Sequence, residues 1–576
     1  MTNHVPQVDP EPRPRLRAVV LLALGILLVL PPLLVSLPRS DLRFHMEVMT
    51  VASSQFTWMS VKEGNAGAWL IPEWNTAPRI HKPPLTSWVN MLGWSDLDPA
   101  TVSPDVLVAR ARYLGVAAAL LGVVGAFLSG WALGGRTLAW SALLACGSAV
   151  LMIKQARLAS YDTYLLGFAG MAMACGIWAL QRGPRALLWW LGCGVFWGLA
   201  TLAKGPISTV FVGAPLVAMI VWSTSGRRVN ATGFALASLV ALAMFAPWKI
   251  YMLQTVPDAT VRVLEEYRSQ RDEFQTPLYY LTLLPILFPW TFAFLVGLRD
   301  AWKLRRDREF AGPALALVWF ATVFFIMSIP GAKQQRYIVP ILPAAALLAA
   351  FAFSDRIRGD APWPKLLRAH SELLMTMSVI FPLFLILQPL LVAKGALKAP
   401  ELVGIPAWIA ALSSVALLAL AWWCRGAIAQ RSSSRVLVLT TLWMTIGASV
   451  GYYGYVQSHH GIYRHRAQTE AIRNLVGQHP IRSLYPPGSV RYHEEPGERF
   501  FFYVRRTAPR IHPADVANYV RSDEPAFLIV RDTEERKAFA EAAGLLLVTN
   551  FHCGAQARVL YGNAPALASL PGRIQP

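Results

Sequence analysis

Asp41, Asp162 and Arg336 stand beside long apolar runs and Lys82 in the loop that follows the first of them, all in stretches whose residue types could hold and activate an anionic substrate. The first stretch, SDLRFHMEVM (40–49), carries Asp41, Arg43, His45 and Glu47 directly after the first apolar run. From Phe44 onward, the spacing of Met46, Val48, Val51 and Phe56 allows an amphipathic helix lying along a membrane interface. The second, RIHKPPLTSWV (79–89), sets His81 and Lys82 before two prolines. Pro83 and Pro84 do not fit a helix interior but can begin the helix that LTSWVNML suggests. Lys82 then stands at a helix N-terminus, where free N–H groups also favour an anion. In the third, RLASYDTYLL (157–166), Asp162 enters an apolar run five residues after Arg157. The fourth pairs LAKGP (202–206) with PGAKQQRYIVP (330–340), placing Lys204, Lys333, Arg336 and Tyr337 at the ends of runs. Between them EEYRSQRDEFQTPLYYL (265–281) offers Arg268 and Arg271 in a loop long enough to act as a lid.

Each stretch has a plainer alternative: a solvated anchor helix, a lysine snorkelling to headgroups, a carboxylate capping a helix. Together they set two aspartates and several cations on one face of a membrane. That is the chemistry needed to hold a lipid-linked phosphate, stabilise it as a leaving group and steer an acceptor nucleophile.

The elements that must position these groups are membrane helices. The 576 residues are 55% hydrophobic and only 15% charged, with a mean hydropathy of +0.41. Apolar runs of about 20 residues recur, each able to cross a ~30 Å hydrocarbon core. The expected spans are 18–37, 107–133, 138–153, 162–181, 187–203, 206–223, 231–250, 278–298, 312–329, 338–354, 373–393, 404–424 and 436–457. The fold class is thus a polytopic α-helical membrane protein of about thirteen spans, with a retained first span rather than a cleaved signal peptide. The formal charge of +20 resides largely in short loops between runs, including 134–136, 181–185, 225–228, 299–308, 355–359 and 425–435. These alternate loops share the side of the N-terminus, which should be cytoplasmic, and the pattern speaks against nucleic acid as a partner.

The expected organisation is a cytoplasmic N-terminus (1–17), a transmembrane domain (18–457) with long extracytoplasmic loops 38–106 and 251–277, and a small α/β domain (458–576) outside the membrane. In that last segment RFFFYV (499–504) and AFLIV (526–530) read as strands, and DTEERKAFAEAAG (532–544) as a helix. Cys146, Cys175, Cys193 and Cys424 lie in apolar runs and Cys553 in the polar tail, so neither a disulfide framework nor a zinc ribbon is supported. No cofactor is expected to be essential, and a divalent metal is left open.

The order of these motifs resembles the integral-membrane glycosyltransferases that use polyprenyl-phosphate sugars, the GT-C superfamily that includes protein mannosyltransferases. Within it, the chain looks nearest to the bacterial lipid A aminoarabinose transferases. The resemblance rests on DLRFHMEVMTVASSQFTW, HKPPLTSWV, QARLASYDTYLL, LAKGP, QTPLYYLTLLPILFPW and KQQRYIVPILP, over residues 18 to about 350. It implies catalytic roles for Asp41 and Asp162, a phosphate contact for Lys82 and a donor-site role for Tyr337. Donor phosphate binding is assigned to Lys82, Arg268, Arg271, Lys333, Arg336 and Tyr337; Arg43, His45, Glu47, His81 and Lys204 complete the candidates. The family's second acid is Leu42 here, its following arginine is Phe44 beside Arg43, and its glutamate before the lysine is His81.

The expected reaction moves a sugar from undecaprenyl phosphate to lipid A or another envelope lipid or glycan, with inversion, on the periplasmic side of a bacterial inner membrane. Two alternatives stay open: a protein O-glycosyltransferase of the same superfamily and a flippase for an anionic lipid-linked substrate. A flippase would place ionisable residues midway along spans and show internal symmetry.

Overall fold

The computed structural model describes residues 14–570 except 40, 41, 43, 76, 99–100, 183–185, 224–225, 262, 265–273, 307–310, 355–362, 395–404, 460–464, 485–497 and 554–555. Four candidate site residues, Asp41, Arg43, Arg268 and Arg271, lie outside the described residues. The chain divides into two compact units: Met1–Leu37, His81–Thr86 and Arg112–Ser458 in one, and Pro38–Ile80, Ser87–Ala111 and His459–Pro576 in the other.

The first unit is built of helices. Among the described residues, seven helices are long and apolar enough to cross a membrane, and a bent pair at the N-terminus makes an eighth. Of the remaining expected spans, 373–393 lies within the unbroken helix Lys365–Ala393, while the others coincide with shorter or broken helices, and proline explains most of the breaks. Residues 278–298, expected as one helix, form a 3-10 turn Pro277–Thr282, a short helix Leu283–Ile286 and a separate helix Thr291–Leu304. Pro277, Pro285 and Pro289 remove ladder donors there. Residues 338–354 likewise begin as a 3-10 turn, Gln335–Ile341, before the helix Leu342–Phe351. The expected span 138–153 is the second half of helix Pro104–Ser148, which kinks at Gly135, followed by a short helix Val150–Ala156. Gly135 has φ +76°, a conformation that side-chain-bearing residues rarely adopt.

Helix Tyr161–Arg182 packs against Pro104–Ser148 through small residues. A Cβ on Gly167 would fall 2.1 Å from the Ala118 carbonyl oxygen, and one on Gly125 would fall 2.5 Å from the Gly170 carbonyl carbon. Such backbone approach is how helices adhere where lipid supplies no hydrophobic drive. It also fixes the start of helix Tyr161–Arg182, where Asp162 sits.

The first span bends by 50° where Pro31 follows helix Pro14–Val29. Two buried arginines receive the carbonyls near this break. Arg157 donates to Pro32 O and Val35 O, both at 2.8 Å, and Arg112 donates to Leu37 O at 3.1 Å. The Arg157 guanidinium also lies 4.0 Å from the Tyr452 ring centroid. A charged donor at a depth without water is thereby satisfied by backbone and ring.

The second unit holds helix His45–Lys62, a two-stranded ladder (Glu73–Trp74 with Ala77–Pro78) and a mixed five-stranded sheet. The sheet order is Arg510–Ile511, Ile481–Leu484, Phe527–Arg531, Gln556–Gly562, Leu546–Cys553; the first two pairings are parallel and the last two antiparallel. Phe527–Arg531 and the helix Glu534–Ala542 match the sequence expectations for those segments. Residues 499–504 do not: Glu498–Val504 is helical, because Phe500, Phe501 and Phe502 are all buried rather than alternating between faces. Helix His45–Lys62 also departs from the interfacial expectation. Thr50, Ser53, Ser54, Gln55 and Thr57 are buried with its apolar residues, so it has no solvated polar face.

Asn75 ties the ladder to the sheet domain. In a left-handed conformation (φ +53°), its amide donates to Ala508 O at 3.0 Å and accepts from Ala508 N–H at 2.8 Å. The side chain thus pairs like a strand backbone.

Candidate active site

Asp162 occupies the first turn of helix Tyr161–Arg182 and is buried. The turn before it is knitted by Gln155, whose amide donates to Ser160 Oγ at 2.7 Å and Thr163 Oγ1 at 3.0 Å, while Thr163 Oγ1 donates back to Gln155 O at 3.0 Å. The carboxylate therefore starts from a rigid corner. It does not act as an N-cap, since it lies inside the helix; its oxygens face two cations instead.

Lys204 supplies the first. Its ammonium forms a salt bridge with Asp162 Oδ1. Lys204 is the last residue of helix Leu187–Lys204, which stops because Gly205 turns left-handed at φ +89° and Pro206 follows. Arg336 supplies the second, with Nε 4.0 Å from Asp162 Oδ2. Arg336 and Tyr337 open the 3-10 turn Gln335–Ile341, which packs on the Asp162 helix. Both cations also approach the Tyr337 ring, Lys204 Nζ at 4.9 Å and the Arg336 guanidinium carbon at 5.3 Å from its centroid.

Two cations against one carboxylate leave this cluster with a net positive charge. The side chain of Asp162 is 2% exposed, that of Lys204 11% and that of Arg336 27%, so water screens them weakly. Such a partly desolvated, electropositive corner is suited to an anion, and the Tyr337 hydroxyl adds a neutral donor to its chemistry. Tyr280 lies nearby: its buried hydroxyl faces the Gln334 backbone without a hydrogen bond of normal geometry.

Lys333 behaves differently. It is buried and donates to the carbonyls of Gln275, at 3.0 Å, and Pro330. Gln275 N–H also donates to Gly331 O at 2.9 Å. Lys333 thus anchors the segment after the 265–273 stretch instead of joining the Asp162 cluster.

His81 and Lys82 lie in the first unit, immediately before helix Leu85–Gly93, with Pro83 and Pro84 preceding the helix as the sequence suggests. His45 and Glu47 open helix His45–Lys62 in the second unit, where Glu47 is fully buried. Among the described residues, no three His, Cys, Asp or Glu side chains converge as a metal site. Sequence reading missed the structural use of Arg112 and Arg157. The available signal was an arginine at the margin of an apolar run.

Residues 81–251 match the dolichyl-phosphate-mannose-protein mannosyltransferase family. The chain is 25% identical over 386 residues to undecaprenyl phosphate-α-4-amino-4-deoxy-L-arabinose arabinosyl transferase 1 of Sodalis glossinidius, covering 64% of each. It is 27% identical over 291 residues to an uncharacterised protein of Aquifex aeolicus, covering 50% of this chain and 55% of that one. The chain thus spans between about half and two-thirds of the length of these relatives. In structure it superposes on ArnT of Cupriavidus metallidurans bound to undecaprenyl phosphate with a TM-score of 0.69, 19% identity, and coverage of 97% of this chain and 100% of that one. The archaeal oligosaccharyltransferase AglB of Archaeoglobus fulgidus superposes with a TM-score of 0.52 at 10% identity, covering 92% and 68%. The fold is the GT-C membrane fold.

Proposed function

We propose that this chain is a glycosyltransferase that moves a sugar from a polyprenyl-phosphate donor to a lipid or glycan acceptor at the membrane surface opposite its N-terminus. The observation that carries this reading is the partly buried Asp162–Lys204–Arg336–Tyr337 corner at the ends of membrane helices, with its excess positive charge. The names of the similar proteins support the donor class, and the basic loops on the N-terminal side support the orientation.

In this reading an acceptor oxygen attacks the anomeric carbon as the bond to the donor phosphate breaks, and polyprenyl phosphate departs with the electron pair. Lys82, Lys204 and Arg336, with Arg268 and Arg271, stabilise the negative charge that develops on that phosphate. Asp162 holds Lys204 and Arg336 in place, so that their charge is oriented before the donor arrives. Asp41 orients the acceptor, and takes its proton where the acceptor is a hydroxyl. An acceptor that is already a phosphate needs no such base.

The test is transfer by the purified full chain in proteoliposomes, using an undecaprenyl-phosphate-linked aminoarabinose donor and lipid A, with Asp41→Asn and Lys82→Ala beside the wild type. Both variants should lose most of their transfer rate. Full transfer by both would remove Asp41 and Lys82 from the site, and no transfer by the wild type to lipid A or to envelope glycan would reject the reaction. Mass spectrometry of lipid A and surface glycan with and without the gene identifies the acceptor.

A further inference from the structure

A second feature of the first unit shares no residue with the Asp162 corner. Helices Ala407–Ala429 and Ser433–His459 are joined by a short turn, and both are apolar and long enough to cross a membrane. At their joined ends they enclose an open groove of about 550 Å³, within the ~300–1,000 Å³ usual for small-molecule sites. Trp422, Trp423 and Leu439 line its apolar part, Gln430 and Arg435 its polar part, and Gly426 its floor.

Three observations say what occupies it. Trp422 and Trp423 are 62% and 61% exposed, about two helical turns before the end of helix Ala407–Ala429, and indoles favour the membrane–water boundary. Arg435 donates to the neutral Gln430 Oε1 at 2.9 Å and has no carboxylate partner among the described residues, whereas neighbouring Arg425 is paired with Glu372 at 3.3 Å. No acidic residue lines the groove. Finally, a Cβ on Gly426 would meet nothing within 4 Å, so the protein leaves this space unfilled although glycine in a helix interior costs about 1 kcal/mol relative to alanine.

We infer that this groove is a binding site for one anionic phospholipid of the adjoining leaflet. Its phosphate rests on Arg435 and Gln430 at the level of the turn, and an acyl chain runs over Gly426 between the indoles and Leu439. Basic pockets between spans recognise anionic headgroups in this way. The membrane supplies the ligand, since the groove opens at the end of two lipid-facing helices. The inference does not depend on the transferase reading.

Native mass spectrometry of the purified full chain tests it, with phosphatidylglycerol and phosphatidylcholine of identical acyl chains as probes. Wild type should retain one phosphatidylglycerol in preference to phosphatidylcholine. Arg435→Gln should reduce that retention about five- to tenfold and remove the headgroup preference. Gly426→Leu, whose side chain enters open space, should block both lipids while circular dichroism stays unchanged. Equal retention of the two lipids by wild type, or undiminished phosphatidylglycerol binding by both variants, overturns the site. So does a dimer abolished by Gly426→Leu, which would make a second copy the occupant.

Discussion

Replacing Asp162 by asparagine should destabilise the chain more than replacing Lys204 by methionine, although each change breaks the same ion pair. Without the carboxylate, Lys204 and Arg336 remain as two poorly hydrated cations around Tyr337 with nothing negative between them. Loss of one partner from a buried pair costs about 3–5 kcal/mol, and mutual repulsion of the cations adds to it. Without Lys204, Asp162 keeps Arg336 at 4.0 Å. At an effective dielectric constant of about 20, that separation gives roughly 4 kcal/mol of attraction, enough to offset much of the carboxylate's desolvation. The expected loss for Lys204→Met is about 1–2 kcal/mol. In the double variant the uncompensated ammonium is gone, so the combined loss should fall short of the sum by about 1–3 kcal/mol. SDS titration of the purified chain in mixed micelles, followed by tryptophan fluorescence, measures all three. Equal losses for the single variants, with an additive double, would refute the idea that Asp162 serves as the common counter-ion.

Three further outcomes follow from the described geometry. Arg157→Met should cost about 2–4 kcal/mol in the same titration, since it strands the Pro32 and Val35 carbonyls at the bend of the first span; Arg157→Lys should recover only part of it, lacking the fork. Asn75→Ala removes both hydrogen bonds to Ala508 and places alanine at φ +53°, so hydrogen exchange at the Ala508 amide should rise about 30-fold or more, while Asn75→Asp, which keeps the acceptor, should show a smaller rise. Burial raises the Glu73 carboxyl above its ordinary 4.5, with Glu63 adding repulsion and Ser60 and Asn65 donors opposing it. A carboxyl whose folded pKa is raised contributes stability that is full below the unfolded value and fades as pH rises through the folded one. Wild type should therefore gain thermal stability relative to Glu73→Gln as pH falls from 7 towards 4.5; parallel curves for the two would reject this.

Polar residues at the ends of apolar runs were enough to mark Asp162, Lys204, Arg336 and Tyr337, because an ionisable group at a membrane boundary needs a reason to be there. That they converge could not be read from spacing, since 42 residues separate the ion pair and the turn carrying Arg336 lies much later. Lys333 shares a pentapeptide with Tyr337 but turns to backbone carbonyls, because Tyr337 lies in the 3-10 turn that begins at Gln335 and Lys333 precedes it. The spans were legible as apolar stretches, whereas their breaks depend on where prolines fall relative to neighbouring helices. Residues 499–504 misled because three consecutive aromatics favour a strand locally, while burial of all three in the unit's core selects a helix. Asn75 and Ala508 are 433 residues apart, and nothing local in either segment announces the pairing.

The bond between Arg157 and the first span also has a consequence in time. A chain made from its N-terminus presents the Pro31–Pro32 bend to the membrane long before its donor exists, because Arg157 follows Pro32 by 125 residues. At about 5–20 residues per second, synthesis leaves an interval of roughly 6–25 s between them. During that interval the Pro32 and Val35 carbonyls must find hydrogen-bond donors elsewhere, from water, headgroups or the insertion machinery. The seat of the first helix is therefore completed only after the next long helix, Pro104–Ser148, has been made, by the same short segment that delivers Asp162.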